Sequence, residues 1–97
     1  MKFKDLKFED ASEIYGENAI HAWVDFPNGY SASVVRHQYS YGSEKGLYEI
    51  GAYYGSEMAK MPRWGDQVKG WLDESAVERE LEYLRKPGLA LEHLNEN

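Results

Sequence analysis

The sequence predicts an α+β fold, an antiparallel sheet of three or four strands packed against one C-terminal helix. Three observations predict it. Residues 19–26 and 30–36 alternate apolar and polar side chains on either side of a Pro27-Asn28-Gly29 turn. Residues 47–54 form a further alternating run. Val77, Leu81 and Leu84 then recur at i, i+4 and i+7, the spacing of one helical face.

Residues 1–18 read either as an arm that docks late or as a short edge strand. Phe3, Leu6 and Phe8 are apolar, but Gly16 and the acids break any regular pattern. In the first strand Ile20, Ala22, Val24 and Phe26 share one face, and His21, Trp23 and Asp25 share the other. Pro27 presets φ for a turn, Asn28 tolerates the next position, and Gly29 supplies the left-handed residue of a bulged hairpin. The second strand turns Tyr30, Ala32 and Val34 to the core, which leaves Ser31 and Ser33 on a solvent face. A loop over about residues 38–46 leads to the third strand, with Tyr48, Ile50, Ala52 and Tyr54 on one side. Tyr54-Gly55-Ser56-Glu57 offers a hairpin turn into a short fourth strand over residues 58–61, which Pro62 stops. Asp73 is a helix N-cap, with Ser75 and Glu78 as an alternative capping box. Ala76, Val77, Leu81 and Leu84 form the buried stripe, with Tyr83 beside it. Pro87-Gly88 ends the helix. Trp71, just ahead of the cap, reads as a buried staple. The whole chain, residues 1–97, reads as one domain. Residues 88–97 form a tail that is either flexible or oligomerising, with Leu89, Leu91 and Leu94 as its contact side chains or as a short second helix.

Charge and composition narrow the function. Net charge is −6: residues 1–18 carry five acids and three bases, residues 19–72 five of each, and residues 73–97 seven acids and three bases. Duplex binding rests on a clustered basic face, and none is visible. The acids at the two ends either solubilise the surface or imitate a phosphate backbone toward a basic partner. The chain has no cysteine, which excludes disulfides, thiolate metal sites and thiol nucleophiles. No apolar run reaches the about 18 residues that span a bilayer, and the N-terminus lacks a signal-peptide core, so the expected location is cytoplasmic.

No constellation points to catalysis, a metal or a cofactor. His21, His37 and His93 show no ligand spacing, and the reading of exposed histidines suffices for them. No serine sits in a nucleophile elbow, and Gly42/Gly46 and Gly51/Gly55 are not phosphate loops. Glu74 and Glu78 are helical neighbours on a solvated face rather than an acid/base pair. The expectation is a protein that is not an enzyme. The aromatics are unusual: eight Tyr and three Trp exceed what one small sheet face hides. Tyr39, Tyr41, Tyr48, Tyr53, Tyr54 and Trp64 lie in or near the long loop and the ends of the third strand. Such rings serve core packing, protein interfaces or, less readily with so few nearby bases, stacking on unpaired nucleotides.

The order of motifs resembles a family of small bacteriophage proteins. Phe26-Pro27-Asn28-Gly29-Tyr30 with Ser33-Val34-Val35 is similar to that group's F-x-N-G-Y-x-x-S-V-V hairpin. Ser40-Tyr41-Gly42 and Gly46-Leu47-Tyr48-Glu49 resemble its S-Y-G and G-L-[YF]-E segments. Asp66-Gln67-Val68-Lys69-Gly70-Trp71-Leu72-Asp73 resembles its D-x-V-x-G-[YW]-L-[TD] helix entry. The resemblance covers about residues 20–86. Met61-Pro62-Arg63-Trp64-Gly65 departs from the group's Thr-Pro-Ile-Thr-like stretch, and the tail after Pro87 is less usual for it. The resemblance implies a phage or prophage origin and no assigned catalysis. By analogy with other small acidic phage proteins it implies an inhibitor of a host defence complex, such as an anti-CRISPR protein. The expected contact residues are Tyr39, Tyr41, Tyr48, Arg63 and Trp64, with Glu74, Glu78 and Glu82 as an acidic face. Two rival expectations are a self-associating virion or assembly accessory and a weak binder of single-stranded nucleic acid.

Overall fold

The computed structural model describes residues 1–95, with side chains through Glu92. The fold is α+β and its sheet is antiparallel, with six strands rather than three or four and, among the described residues, three α-helices rather than one. The strands are β1 (Glu9–Asp10), β2 (Ile20–Asp25), β3 (Tyr30–Arg36), β4 (Tyr48–Tyr54), β5 (Glu57–Met58) and β6 (Val68–Leu72). The helices are α1 (Ser12–Tyr15), α2 (Glu74–Leu84) and α3 (Leu89–Asn95). Neighbours run β1-β2-β3-β4. One edge of β4 is then shared: β5 pairs with Tyr53 and Tyr54, and β6 pairs with Tyr48–Gly51. No described helix is long and apolar enough to cross a membrane.

The β2–β3 hairpin forms as its alternation predicts. Gly29 sits at φ 95°, and the Phe26 N–H donates to the Tyr30 carbonyl at 2.9 Å to close the bulged turn. Ala22, Tyr30, Ala32, Val34, Ile50 and Ala52 are buried on the face that meets α2. From the helix side Ala76, Val77, Leu81 and Leu84 fill the same core. The Asp73 carboxylate accepts the Ala76 N–H at 2.8 Å, so Asp73 is the N-cap, and the Ser75/Glu78 box is not used. Asn28 does more than turn the hairpin. Its amide donates to the carbonyls of Leu84 (2.7 Å) and Lys86 (2.9 Å), closing the open C-terminal end of α2 from across the fold.

Residues 1–18 combine both readings. Glu9 and Asp10 form an edge strand on β2, and Phe3 and Phe8 dock against the ring of Tyr48 at 5.1 and 5.6 Å. The fourth strand is shorter than expected, because β5 stops at Met58. Met61 then makes a single bridge to Asp66 and is fully buried.

Four expectations need correction. The helix-entry segment contains a strand, β6. Its alternation is hidden because two residues, Gly70 and Trp71, stand opposite Glu49 alone, and this bulge shifts the register. The bulge also corrects Trp71: it adopts φ 60° and turns outward, 55% exposed, instead of packing as a staple. Ser31 is buried between its cross-strand neighbours Asp25 and Tyr53 and donates to Asp25 Oδ1 at 2.7 Å, so Ser31 and Ser33 do not make a simple solvent face. The tail takes the second of its two readings, a short helix, α3, and Leu89 is not one of its exposed side chains. Gly88, at φ 77°, reverses the chain after α2 and lays Leu89 into the core at 1% exposure. Leu91 is exposed, and the side chain of Leu94 lies outside the described residues.

Candidate functional site: an exposed aromatic surface

The long loop is an ordered structure, and the reason lies in its polar links. Ser40 is buried; its hydroxyl donates to the His37 carbonyl (2.9 Å) and accepts the His37 N–H (3.0 Å). The Tyr39 N–H donates to His37 Nδ1 at 3.1 Å, which requires that nitrogen to be unprotonated. Burial lowers the His37 pKa below its ordinary value, against the opposing pull of Glu49, in keeping with a neutral ring. One face of that imidazole stacks on Tyr15, with centroids 4.0 Å apart and planes within 8°. Two left-handed glycines, Gly42 and Gly46, then bracket a single 3-10 turn.

These links present two tyrosines to solvent. Tyr39 is 74% exposed and Tyr41 is 59% exposed. Tyr41 is held by its backbone on both sides: its N–H donates to Glu49 Oε2 at 3.1 Å, and its carbonyl accepts the Trp71 N–H at 3.2 Å. Trp71 therefore stands beside Tyr41, on the β6 bulge. The two segments are in close contact. A Cβ on Gly70 would lie 2.5 Å from Tyr41 Cβ, and one on Gly42 would lie 3.1 Å from Trp71 Cα. Both glycines are thus required by close approach. Replacing Gly70 by Ala must push the Tyr41 segment away, at an expected cost of about 1–3 kcal/mol. Thermal unfolding and the amide spectrum of residues 39–42 check this. A shift confined to that loop and to Trp71 is the expected result.

Trp71 is the site residue that the sequence reading misplaced. A non-glycine residue in the left-handed region costs of order 1 kcal/mol and concentrates at functional positions. Its signal was present but indirect: Gly70 beside Trp71, ahead of a polar cap, marks a possible bulge as readily as a staple.

The other expected contact residues are placed elsewhere. Tyr48 is a core residue at 8% exposure; Phe3 and Phe8 cover it, and Arg36 lies over its ring at 4.9 Å and donates to its hydroxyl at 3.1 Å. It is buried because it lies on the core side of β4. Arg63 and Trp64 pack on α2 and not against the loop. Both donate to Glu80, Trp64 Nε1 at 2.8 Å and Arg63 at 3.2 Å, and Arg63 lies over the Tyr83 ring at 4.8 Å. Glu80 itself is buried, and no reading of the sequence singled it out. Its signal was its position, i+4 from Ala76 and i+3 from Val77, inside the apolar stripe.

The acidic face is only partly free. Glu74 is exposed. Glu78 accepts the Phe3 N–H at 2.6 Å, and Glu82 accepts the terminal ammonium at 2.6 Å and Arg85 at 3.2 Å. The bond from that ammonium holds the Glu82 carboxyl below its usual pKa. The chain's own arm therefore engages two of the three carboxylates expected to meet a partner. Among the described residues no group of three His, Cys, Asp or Glu side chains could hold a metal ion. A surface hollow of about 710 Å³ between the β2–β3 turn and the end of α2 is wide open, and Asn28, Glu82, Arg85 and Lys86 are among its lining residues.

No protein-family model matches the chain, and neither a curated protein nor a solved structure matches it.

Proposed function

We propose that this protein is a non-catalytic binding protein that docks to a protein partner through Tyr39, Tyr41 and Trp71. One observation carries the reading. Two exposed aromatic residues from separate segments, Tyr41 and Trp71, have their backbones joined by a hydrogen bond and packed against glycines with no room for a side chain. Large rings fixed in place lose little conformational entropy on binding, which is the physical reason Tyr and Trp dominate interface hot spots. The resemblance to small phage proteins supports a host defence complex, such as a CRISPR effector, as the partner. The self-assembly reading loses support with Leu89 in the core.

The test is affinity capture from host lysate with the natural chain and with the triple variant Tyr39→Ala, Tyr41→Ala, Trp71→Ala. All three side chains are exposed, so the melting temperature should barely move, while a stoichiometric host protein is lost. Capture that is unchanged by the triple variant would remove these rings from the interface. Recovery of nucleic acid in place of protein would favour the single-strand reading.

A further inference from the structure

The sheet has a second face that no helix covers. On it Trp23, 47% exposed, packs against Tyr53 with centroids 5.0 Å apart, reaching across the small residues of β3. His21 extends the row on one side at 6.4 Å, and Met58 continues it on the other, paired with Tyr53. The central positions are small, and Ser31 and Gly51 are buried: a Cβ on Gly51 would already meet Met58 Cε at 3.5 Å and Tyr53 Cε1 at 3.8 Å.

The charged strand positions on this face have one sign. By register its strand positions include Glu9 beside His21, Asp25 beside Ser31 and Glu49 beside Val35, and no lysine or arginine. Asp25 is the informative residue. Its Oδ1 accepts both Trp23 Nε1 at 2.9 Å and Ser31 Oγ at 2.7 Å. Those two bonds, the Ser31 bond first, hold its carboxyl below the usual pKa. They also fix the indole in place. Among the described residues Asp25 Oδ2 accepts no hydrogen bond, so a charged oxygen remains available beside an immobilised indole ring.

We propose that this face is a second binding site, one that takes an arginine side chain from a basic segment of a protein partner. A guanidinium stacks on Trp or Tyr rings and pairs with carboxylate, and both elements are preorganised here. The acidic charge disfavours a second copy of the same chain, because two such faces would meet with like charges. Its binding groups are Trp23, Tyr53 and Asp25, none of them a residue of the Tyr41–Trp71 surface.

The test is a titration of the full-length protein at low salt with a short arginine-containing peptide and with its citrulline counterpart. Citrulline keeps the shape of the side chain and removes the charge. The reporters are the Trp23 indole N–H and the amides of β2 and β4 in a two-dimensional NMR spectrum. The expected result is movement of these signals by the arginine peptide, with about tenfold weaker binding of the citrulline peptide. Asp25→Asn should weaken the arginine peptide toward the citrulline level, and Trp23→Leu should abolish the effect while the remaining amide spectrum stays folded. Equal binding of the two peptides, or perturbation elsewhere on the protein, would overturn the proposal. So would a free protein that is dimeric and becomes monomeric on Trp23→Leu, since a second copy would then be the occupant.

Discussion

Replacing Leu89 by Ala is expected to destabilise the protein by about 2–5 kcal/mol. The side chain is 1% exposed and belongs to the same core as Val77, Leu81 and Leu84. Truncation removes its transfer free energy and leaves a cavity that the α2–α3 turn cannot collapse into, because Gly88 and the Asn28 bonds to Leu84 and Lys86 fix that turn. A domain of this size has about 5–15 kcal/mol in all, so the loss should appear as a large fall in the denaturant midpoint. The oligomeric state should not change. Leu91→Ala is the internal control: that side chain is exposed, and its loss should be nearly neutral. Equal and small effects at both positions would return Leu89 to the surface.

The second large effect is expected at Glu80. Replacing it by Ala should cost about 2–3 kcal/mol, because Trp64 Nε1 loses its acceptor and Arg63 loses its ion-pair partner in a part-buried setting. Glu80→Gln keeps an acceptor for the indole and should retain most of the stability. The comparison separates the hydrogen bond from the charge. Urea unfolding of the two variants measures it. A neutral Glu80→Ala variant would mean that the cluster of Arg63, Trp64, Glu80 and Tyr83 only decorates the helix surface. The same cluster explains why Arg63 and Trp64 are better assigned to anchoring the segment after Pro62 than to partner contact.

What could be read in advance follows from how local the cause is. The β2–β3 hairpin depends on alternation and on one glycine turn, all within 17 consecutive residues, and it appears as predicted. The α2 stripe and its Asp73 cap are likewise local. The missed features all involve distant partners. β6 is a five-residue edge strand whose bulge conceals the alternation, and only pairing with β4 makes it a strand. Asn28 reads as a turn residue because nothing nearby in sequence shows that it will meet the end of α2. Leu89 sits in a polar tail until Gly88 folds it back.

The aromatic surface was legible in half. Tyr39 and Tyr41 stand out because tyrosines on turns have no core to enter, and both are exposed. Tyr48 looked equivalent by proximity in sequence, yet it lies on the core side of β4. Its alternation with Ile50 and Ala52 carried that information. Trp71 was invisible as a surface residue, since its direction is decided by a left-handed backbone that only the neighbouring Tyr41 segment explains. The acidic residues of α2 show the same limit: Glu78 and Glu82 are engaged by the N-terminal arm, a contact across more than seventy residues.

The most direct measurement is site-specific photo-crosslinking in the living host. A photoreactive phenylalanine analogue is placed at Tyr41, at Trp71 and, as a control, at Ile14, which is exposed on α1. The account predicts one discrete crosslinked host protein from positions 41 and 71 and none from position 14. A product of the same size and yield from all three positions, or from position 14 alone, would contradict the claim that the Tyr41–Trp71 surface is where the partner binds.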